Sequence, residues 1–347
     1  MKKAYYAIII VAIIVPIPFI LGLISSLFRP QLPITQRDFK VGIAGFIPRN
    51  FPNSESSDWE SFYKEIPQMG EVFGAYPVWN DDTDTDGIPD LVKVAIGIES
   101  QYGVTPVIAI SFDINVVTDT YFSENKEAYK AALIDTVGTY NLTYLSIGNE
   151  VNSLYAHVSP AAFNDFVGFY KEAYDEIKIK SPNTKVFTIF QLEHLKGAAY
   201  LTGLELSESW DLIDQFGEKL DLVGFTAYPL LEYSNVNQIP EDYFLEIANY
   251  VDKPVAFTEM GWPSVNVESS GIRIINSNQL SQVEFFLQIL NATNTLDVEL
   301  FIHPFLHDFV YSEENPLFNN IALKKNDGTP KEIFNYWQAL ASLPYNS

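Results

Sequence analysis

Leu145–Asn152 (LSIGNEVN) and Ala256–Ser264 (AFTEMGWPS) are built alike. Each opens as a short apolar run and stops at a glutamate, Glu150 in the first and Glu259 in the second. An apolar run of this length reads as a strand buried on both faces, as in a parallel sheet covered by helices. A carboxylate at the mouth of such a strand is where a barrel keeps its chemical groups.

Working outward, strand and helix patterns alternate along the chain. Phe39–Phe46, Glu71–Trp79, Pro106–Phe112, Tyr144–Gly148, Lys185–Phe190, Leu222–Ala227, Pro254–Thr258 and Val298–His303 read as strands, rich in Val, Ile, Phe and Tyr. Asp58–Glu65, Leu91–Tyr102, Glu124–Thr139, Pro160–Lys180, Ser207–Lys219, Pro240–Val251, Asn278–Leu290 and Lys331–Ser342 read as the intervening helices. Ser159 is a good N-cap with Pro160 at the first helical position. Eight β/α units predict an α/β fold, a (β/α)8 TIM barrel over residues 38–347. The competing doubly wound sheet usually has fewer strands and often a Gly-rich phosphate turn after strand 1, and neither is present.

The composition is compatible with one large domain. The chain has 347 residues, 47% of them apolar, enough for a substantial core. Lys and Arg total 21 against 44 Asp and Glu, a net charge of −23 that repels phosphate backbones and argues against nucleic-acid binding. The absence of cysteine excludes disulfides and thiolate–zinc sites. The 20 Tyr and 5 Trp suit a surface that stacks on sugar rings, although core filling accounts for many aromatics. A monomer is expected.

Lys2 and Lys3 precede the uncharged run Ala4–Phe28, long enough to span a bilayer as a helix. The flanking lysines predict a cytoplasmic N-terminus, with the rest of the chain outside. Residues 1–30 are therefore expected to form a transmembrane signal anchor, or a cleaved signal peptide if the domain is secreted, and 31–37 a linker. The sequons at Asn141 and Asn291 are compatible with an outside location.

In a barrel the residues just past each strand share one face. Here they are Trp79, Asp113, Asn149, Glu150, Gln191, Glu193, His194, Tyr228, Glu259, Trp262, His303 and His307. Two carboxylates, an amide, a tyrosine and aromatic walls suit a carbohydrate, with one carboxyl acting as acid and the other as nucleophile. Trp79, Trp262 and His303 are candidate substrate contacts; Trp262 reads equally as a core tryptophan behind its strand. Glu193 and His194 are either substrate contacts or a surface pair. His303, His307 and Asp308 have the spacing of metal ligands on a helix, but they stand at a strand end and read as subsite or loop packing.

Asp82, Asp84, Asp86 and Asp90, with Gly87 among them, match the first half of a calcium loop. Position twelve is Lys93, so the loop is not a regular EF-hand. A structural calcium is one reading, and a solvated acidic turn is the other.

IGNEVN resembles the strand-4 signature of the retaining glycoside hydrolases of clan A, and TEMGWPS their strand-7 signature, most of all that of the family 17 β-1,3-glucanases. Gly224–Leu230 (GFTAYPL) resembles strand 6 of family 17 and of the family 53 β-1,4-galactanases. Ile321–Trp337 is similar to the closing turn and helix of many clan members. The resemblance implies a hydrolase of β-linked glycans that needs no cofactor. It implies Glu150 as acid/base, Glu259 as nucleophile, Asn149 on the neighbouring sugar hydroxyl, and Tyr228 donating to Glu259 to keep it ionised. Strand 8 lacks the tryptophan floor of many members, leaving His303 or Phe305 to substitute, and strand 2 lacks an arginine. A glycan-binding barrel without activity and a transglycosylase are the alternative readings.

Overall fold

The computed structural model describes residues 31–81, 86–198, 207–269, 273–310 and 316–346. The expected membrane segment Ala4–Phe28 lies outside them. No helix among the described residues is long and apolar enough to cross a membrane. Residues Pro33–Ser347 make one unit.

Its strands are β1 (Lys40–Ala44), β2 (Val72–Ala75), β3 (Thr105–Ile110), β4 (Tyr144–Ile147), β5 (Lys185–Phe187), β6 (Ile189–Gln191), β7 (Val223–Ala227), β8 (Val255–Met260), β9 (Val267–Ser269), β10 (Arg273–Ile275) and β11 (Val298–His303). Nine of them form one parallel sheet in the order β5-β4-β3-β2-β1-β11-β8-β7-β6. β9 and β10 make a separate antiparallel ribbon.

The two ends of that order, β5 and β6, are one strand interrupted at Thr188. Its first half pairs with β4 and its second half with β7. Thr188 spans the seam: its Oγ1 donates to Ile147 O at 2.7 Å, and its carbonyl accepts from Gly224 N at 3.0 Å. The sheet thus closes at Thr188 into the expected eight-stranded barrel.

The barrel interior is packed, with Ala44, Val72, Val107, Ala109, Phe187, Ile189, Ala256, Leu300 and Ile302 in one fully buried cluster. Gly42 lets β1 approach β2, since a Cβ there would lie 1.9 Å from Val72 O. Tyr144 of β4 reaches across to Glu299 of β11 at 2.5 Å, and Lys185 joins Glu299 at 2.7 Å. Arg37, at the end of the expected linker, is buried against Glu71 and donates to Ala341 O. It ties the chain's entry to its C-terminal segment.

The helices are α1 (Ser56–Glu65), α2 (Asp90–Tyr102), α3 (Tyr121–Thr139), α4 (Val151–His157), α5 (Pro160–Lys180), α6 (Leu192–Leu195), α7 (Asp211–Asp214), α8 (Gln279–Ala292) and α9 (Glu332–Ala341). Ser159 caps α5 as expected, accepting from Ala162 N. Asn278 caps α8, accepting from Leu280 N and Ser281 N. α3 and α5 lock through tilted aromatic pairs, Tyr129 against Phe169 at 4.7 Å and Phe122 against Phe166 at 5.0 Å.

Two expected helices are much reduced. Ser207–Lys219 keeps only the single turn α7, and Gly217 adopts φ 60°. Pro240–Val251 forms turns and a 3-10 segment, Leu245–Asn249. There the neighbours Tyr243 and Phe244 are both buried but in different directions, Tyr243 toward Glu193 and Phe244 against Phe257 and Phe285. Those tertiary contacts outweigh the helical pattern. The short α4 was not anticipated, and it matters for the site.

Replacing Thr188 with Val leaves Ile147 O buried without its donor at the seam. A loss of about 1–3 kcal/mol is expected, read as a lower denaturant midpoint with an unchanged slope.

Candidate active site

Gly148 and Glu150 turn the chain off β4. Gly148 has φ 87°, and a Cβ there would meet Val151 at 2.5 Å. Glu150 itself is left-handed, φ 50° and ψ 47°. That conformation costs a non-glycine residue about 1–2 kcal/mol and persists only where surroundings impose it. Here α4 starts at once, and Glu150 O accepts from Ser153 N at 2.8 Å. Asn152 then clamps α4 to β6, exchanging two 2.8 Å bonds with the Gln191 backbone.

Glu259 belongs to β8. The register between β7 and β8 slips after Phe225–Phe257, so that Thr226 faces Glu259 rather than Thr258. Such a bulge re-aims side chains at a barrel rim. Thr226 serves both carboxyls: its backbone faces Glu259, and its Oγ1 donates to Glu150 Oε1 at 2.6 Å. Tyr228, the residue just past β7, donates its hydroxyl to Glu259 Oε2 at 2.6 Å.

Both carboxyls open onto one cavity of about 600 Å³, a usual size for a ligand site. Asn149, Tyr228, Gln191 and His194 line it as the sequence suggests, together with Tyr76, Ile114, Ser153, Leu231, Phe305 and Phe318. A side lobe runs past Val78, Ser111 and Asp113.

Protein surrounds the carboxyls on their other sides, and burial raises the pKa of both. Glu259 is pushed up to about 7, first by burial and then by the Glu150 charge, with Tyr228 and Asn149 opposing. The tyrosine bond expected from the sequence therefore exists, but alone it does not hold Glu259 in the ordinary range. When Glu150 carries the proton, its charge no longer acts on Glu259. Two donors on Glu259 against one on Glu150 favour that arrangement, giving an acid beside a charged nucleophile. Behind them Glu193 is fully buried and pushed up to about 8, chiefly by burial.

Three expected contacts are corrected. Trp262 is fully buried, stacks on Phe285 and donates Nε1 to Ser277 Oγ at 3.0 Å. It belongs to the core behind β8. Trp79 stacks on Tyr129 at 5.5 Å and donates to Tyr121 OH, which turns it from the cavity toward α3. His303 is buried on Trp337 with Nδ1 3.1 Å from Phe305 O, and burial lowers its pKa to about 3. Of the two residues that could replace the strand-8 floor, Phe305 is the one lining the cavity.

Among the described residues, no group of three or more His, Asp or Glu could hold a metal. His307 contacts Ile47 O, and Asp308 is paired with Lys331 at 2.6 Å. Of the acidic loop, Asp82 and Asp84 lie outside the described residues. Asp86 and Asp90 both pair with Lys93, at 3.1 and 3.0 Å.

The sequence reading missed Thr226, Ser153, Tyr76 and Phe318. Thr226 was detectable, because strand alternation puts it on the face of Tyr228. Phe318 ends the short 3-10 segment Pro316–Phe318 and packs edge-on against Tyr228 at 5.0 Å, with no local signal.

No family model and no curated protein matches the sequence. Solved structures match in fold. A family 39 glycoside hydrolase from Bacteroides cellulosilyticus WH2 aligns with a TM-score of 0.60 at 15% identity, over 91% of this chain and 66% of that one. An exo-β-1,4-mannosidase from Opitutaceae bacterium strain TAV5 gives 0.63 at 12%, over 90% and 61%. A β-glucosidase from Thermotoga maritima gives 0.59 at 12%, over 90% and 100%. This chain thus spans only about two-thirds of the first two. At such identities the likeness establishes the shared barrel.

The raised carboxyls predict a stability slope. The folded Glu150–Glu259 pair holds one proton that unfolded glutamates release near 4.5, so stability falls as pH rises from there toward about 7. Glu259→Gln removes that contribution. Its unfolding midpoint, relative to the parent protein, is expected to rise more at pH 8 than at pH 5 in denaturant titrations.

Proposed function

We propose that the protein is a retaining glycoside hydrolase acting on β-linked glycans. The observation that carries this reading is the pair Glu150, just past β4, and Glu259, on β8: two half-buried carboxyls facing one cavity, each with its own hydrogen-bond donors. Glu150 protonates the departing glycosidic oxygen while Glu259 attacks the anomeric carbon. Water then cleaves the glycosyl-enzyme, with Glu150 taking its proton. Asn149 and Tyr228 keep the negative charge on Glu259 before attack. The rings of Tyr76, Phe305 and Phe318 offer apolar walls to sugar faces. Among the described residues no Lys or Arg lines the cavity, which favours uncharged sugars over uronates. The motif likeness narrows these to β-glucan or β-galactan. The run Ala4–Phe28 would tether the domain to a membrane with its chemistry outside.

The test is reducing-end release from β-1,3-glucan, β-1,4-glucan, β-1,4-galactan and β-mannan, using the full chain in detergent. Activity is expected on at least one, with the β-anomer appearing first by NMR. Glu259→Gln should abolish it, and Glu150→Gln should lower it about 10²–10⁴-fold. Release that survives Glu259→Gln, or an α-anomer formed first, would sink the proposal. Products longer than the substrate would identify transglycosylation.

Thr226→Val removes a hydrogen bond that lowers the Glu150 pKa. The acid then loses its proton at higher pH, so the alkaline limb of the rate profile should move upward.

A further inference from the structure

The cavity wall beside Glu150 carries a histidine with an unused ring nitrogen. His194 is 8% exposed, lines the cavity, and its Nε2 has no hydrogen-bond partner. Asn149 Oδ1, on the same cavity, is also buried and unpartnered. A buried polar atom left unpaired costs free energy and calls for an explanation. The two other buried histidines differ: His303 and His307 each rest Nδ1 against a backbone carbonyl, and neither lines the cavity.

The scaffold fixes the main chain that carries the His194 ring. Its backbone N–H donates to Gln191 Oε1 at 2.6 Å. Gln191 Nε2 donates to the buried Glu193 at 2.9 Å, and Tyr243 fixes that carboxyl from its other oxygen at 3.1 Å. Ser153 Oγ stands 3.4 Å from Nδ1, which leaves Nε2 for a ligand. Burial lowers the imidazole pKa, so the ring is neutral at pH 7, with one N–H and one lone pair. A hydroxyl both donates and accepts, and so suits either tautomer.

We infer that His194 is a specificity-determining residue whose Nε2 hydrogen-bonds one hydroxyl of the sugar unit seated beside Glu150. This rests on the glycan reading of the cavity, and the experiment separates the two. Laminaritetraose, cellotetraose and β-1,4-galactotetraose are titrated calorimetrically into full-length Glu259→Gln protein, with and without His194→Ala or His194→Gln. The tetraose that binds should bind about 10-fold more weakly with His194→Ala, and His194→Gln should recover part of the loss. In ¹⁵N-histidine spectra of Glu259→Gln protein, the Nε2 signal missing from His194→Gln should shift on saturation with that tetraose. This readout needs no folded His194→Ala variant. Unchanged affinity together with an unmoved Nε2 signal overturns the role of His194 alone. If no tetraose binds even with His194 intact, the glycan reading falls and the inference falls with it.

Discussion

The sheet has to close, and it closes at one residue. Thr188 ends the pairing with β4 and begins the pairing with β7, using its hydroxyl toward one and its carbonyl toward the other. A parallel sheet closed in this way brings the carboxyl ends of all its strands to a single rim. Glu150 and Glu259 are distant in sequence and have no local reason to meet. They share a cavity because β4 and β8 are staves of the same closed barrel, and the β7–β8 slip turns Glu259 toward it.

The two ends of the barrel treat charge in opposite ways. At the closed end, carboxylates are matched by cations: Arg37 holds Glu71, and Lys185 holds Glu299 beside Tyr144. At the open end Glu150, Glu193 and Glu259 sit close together, and their partners are hydroxyls and amides. Neutral donors stabilise a carboxylate less than a cation does, so burial dominates and all three pKa values rise, with the Glu150 charge adding to the rise at Glu259 and, least, at Glu193. Groups poised near neutrality are those suited to moving protons. The backbone of Glu150, left-handed without being glycine, places further strain at the same rim.

Much of this was legible before any coordinates. Apolar runs and amphipathic stretches located the barrel strands and most helices, because a buried strand and a covering helix each impose a period on the residues that form them. The failures fall where long-range contacts outweigh local preference. Tyr243 lies in a stretch that reads as helix, yet its hydroxyl is needed at Glu193. Thr226 was passed over because its role depends on a glutamate of another strand.

The sequence by itself determined the alternation of elements, the two glutamates at strand ends, and the tyrosine two residues beyond Thr226. These follow from burial periodicity and from residue chemistry, which are local. Only the tertiary structure decided which aromatic rings face the cavity. Trp79 and Trp262 went to the packing behind the strands, whereas Tyr76, Phe305 and Phe318 line the opening. The direction of a side chain past a strand end depends on bulges, turns and the space left by neighbours. None of those is encoded within a few residues of the ring itself.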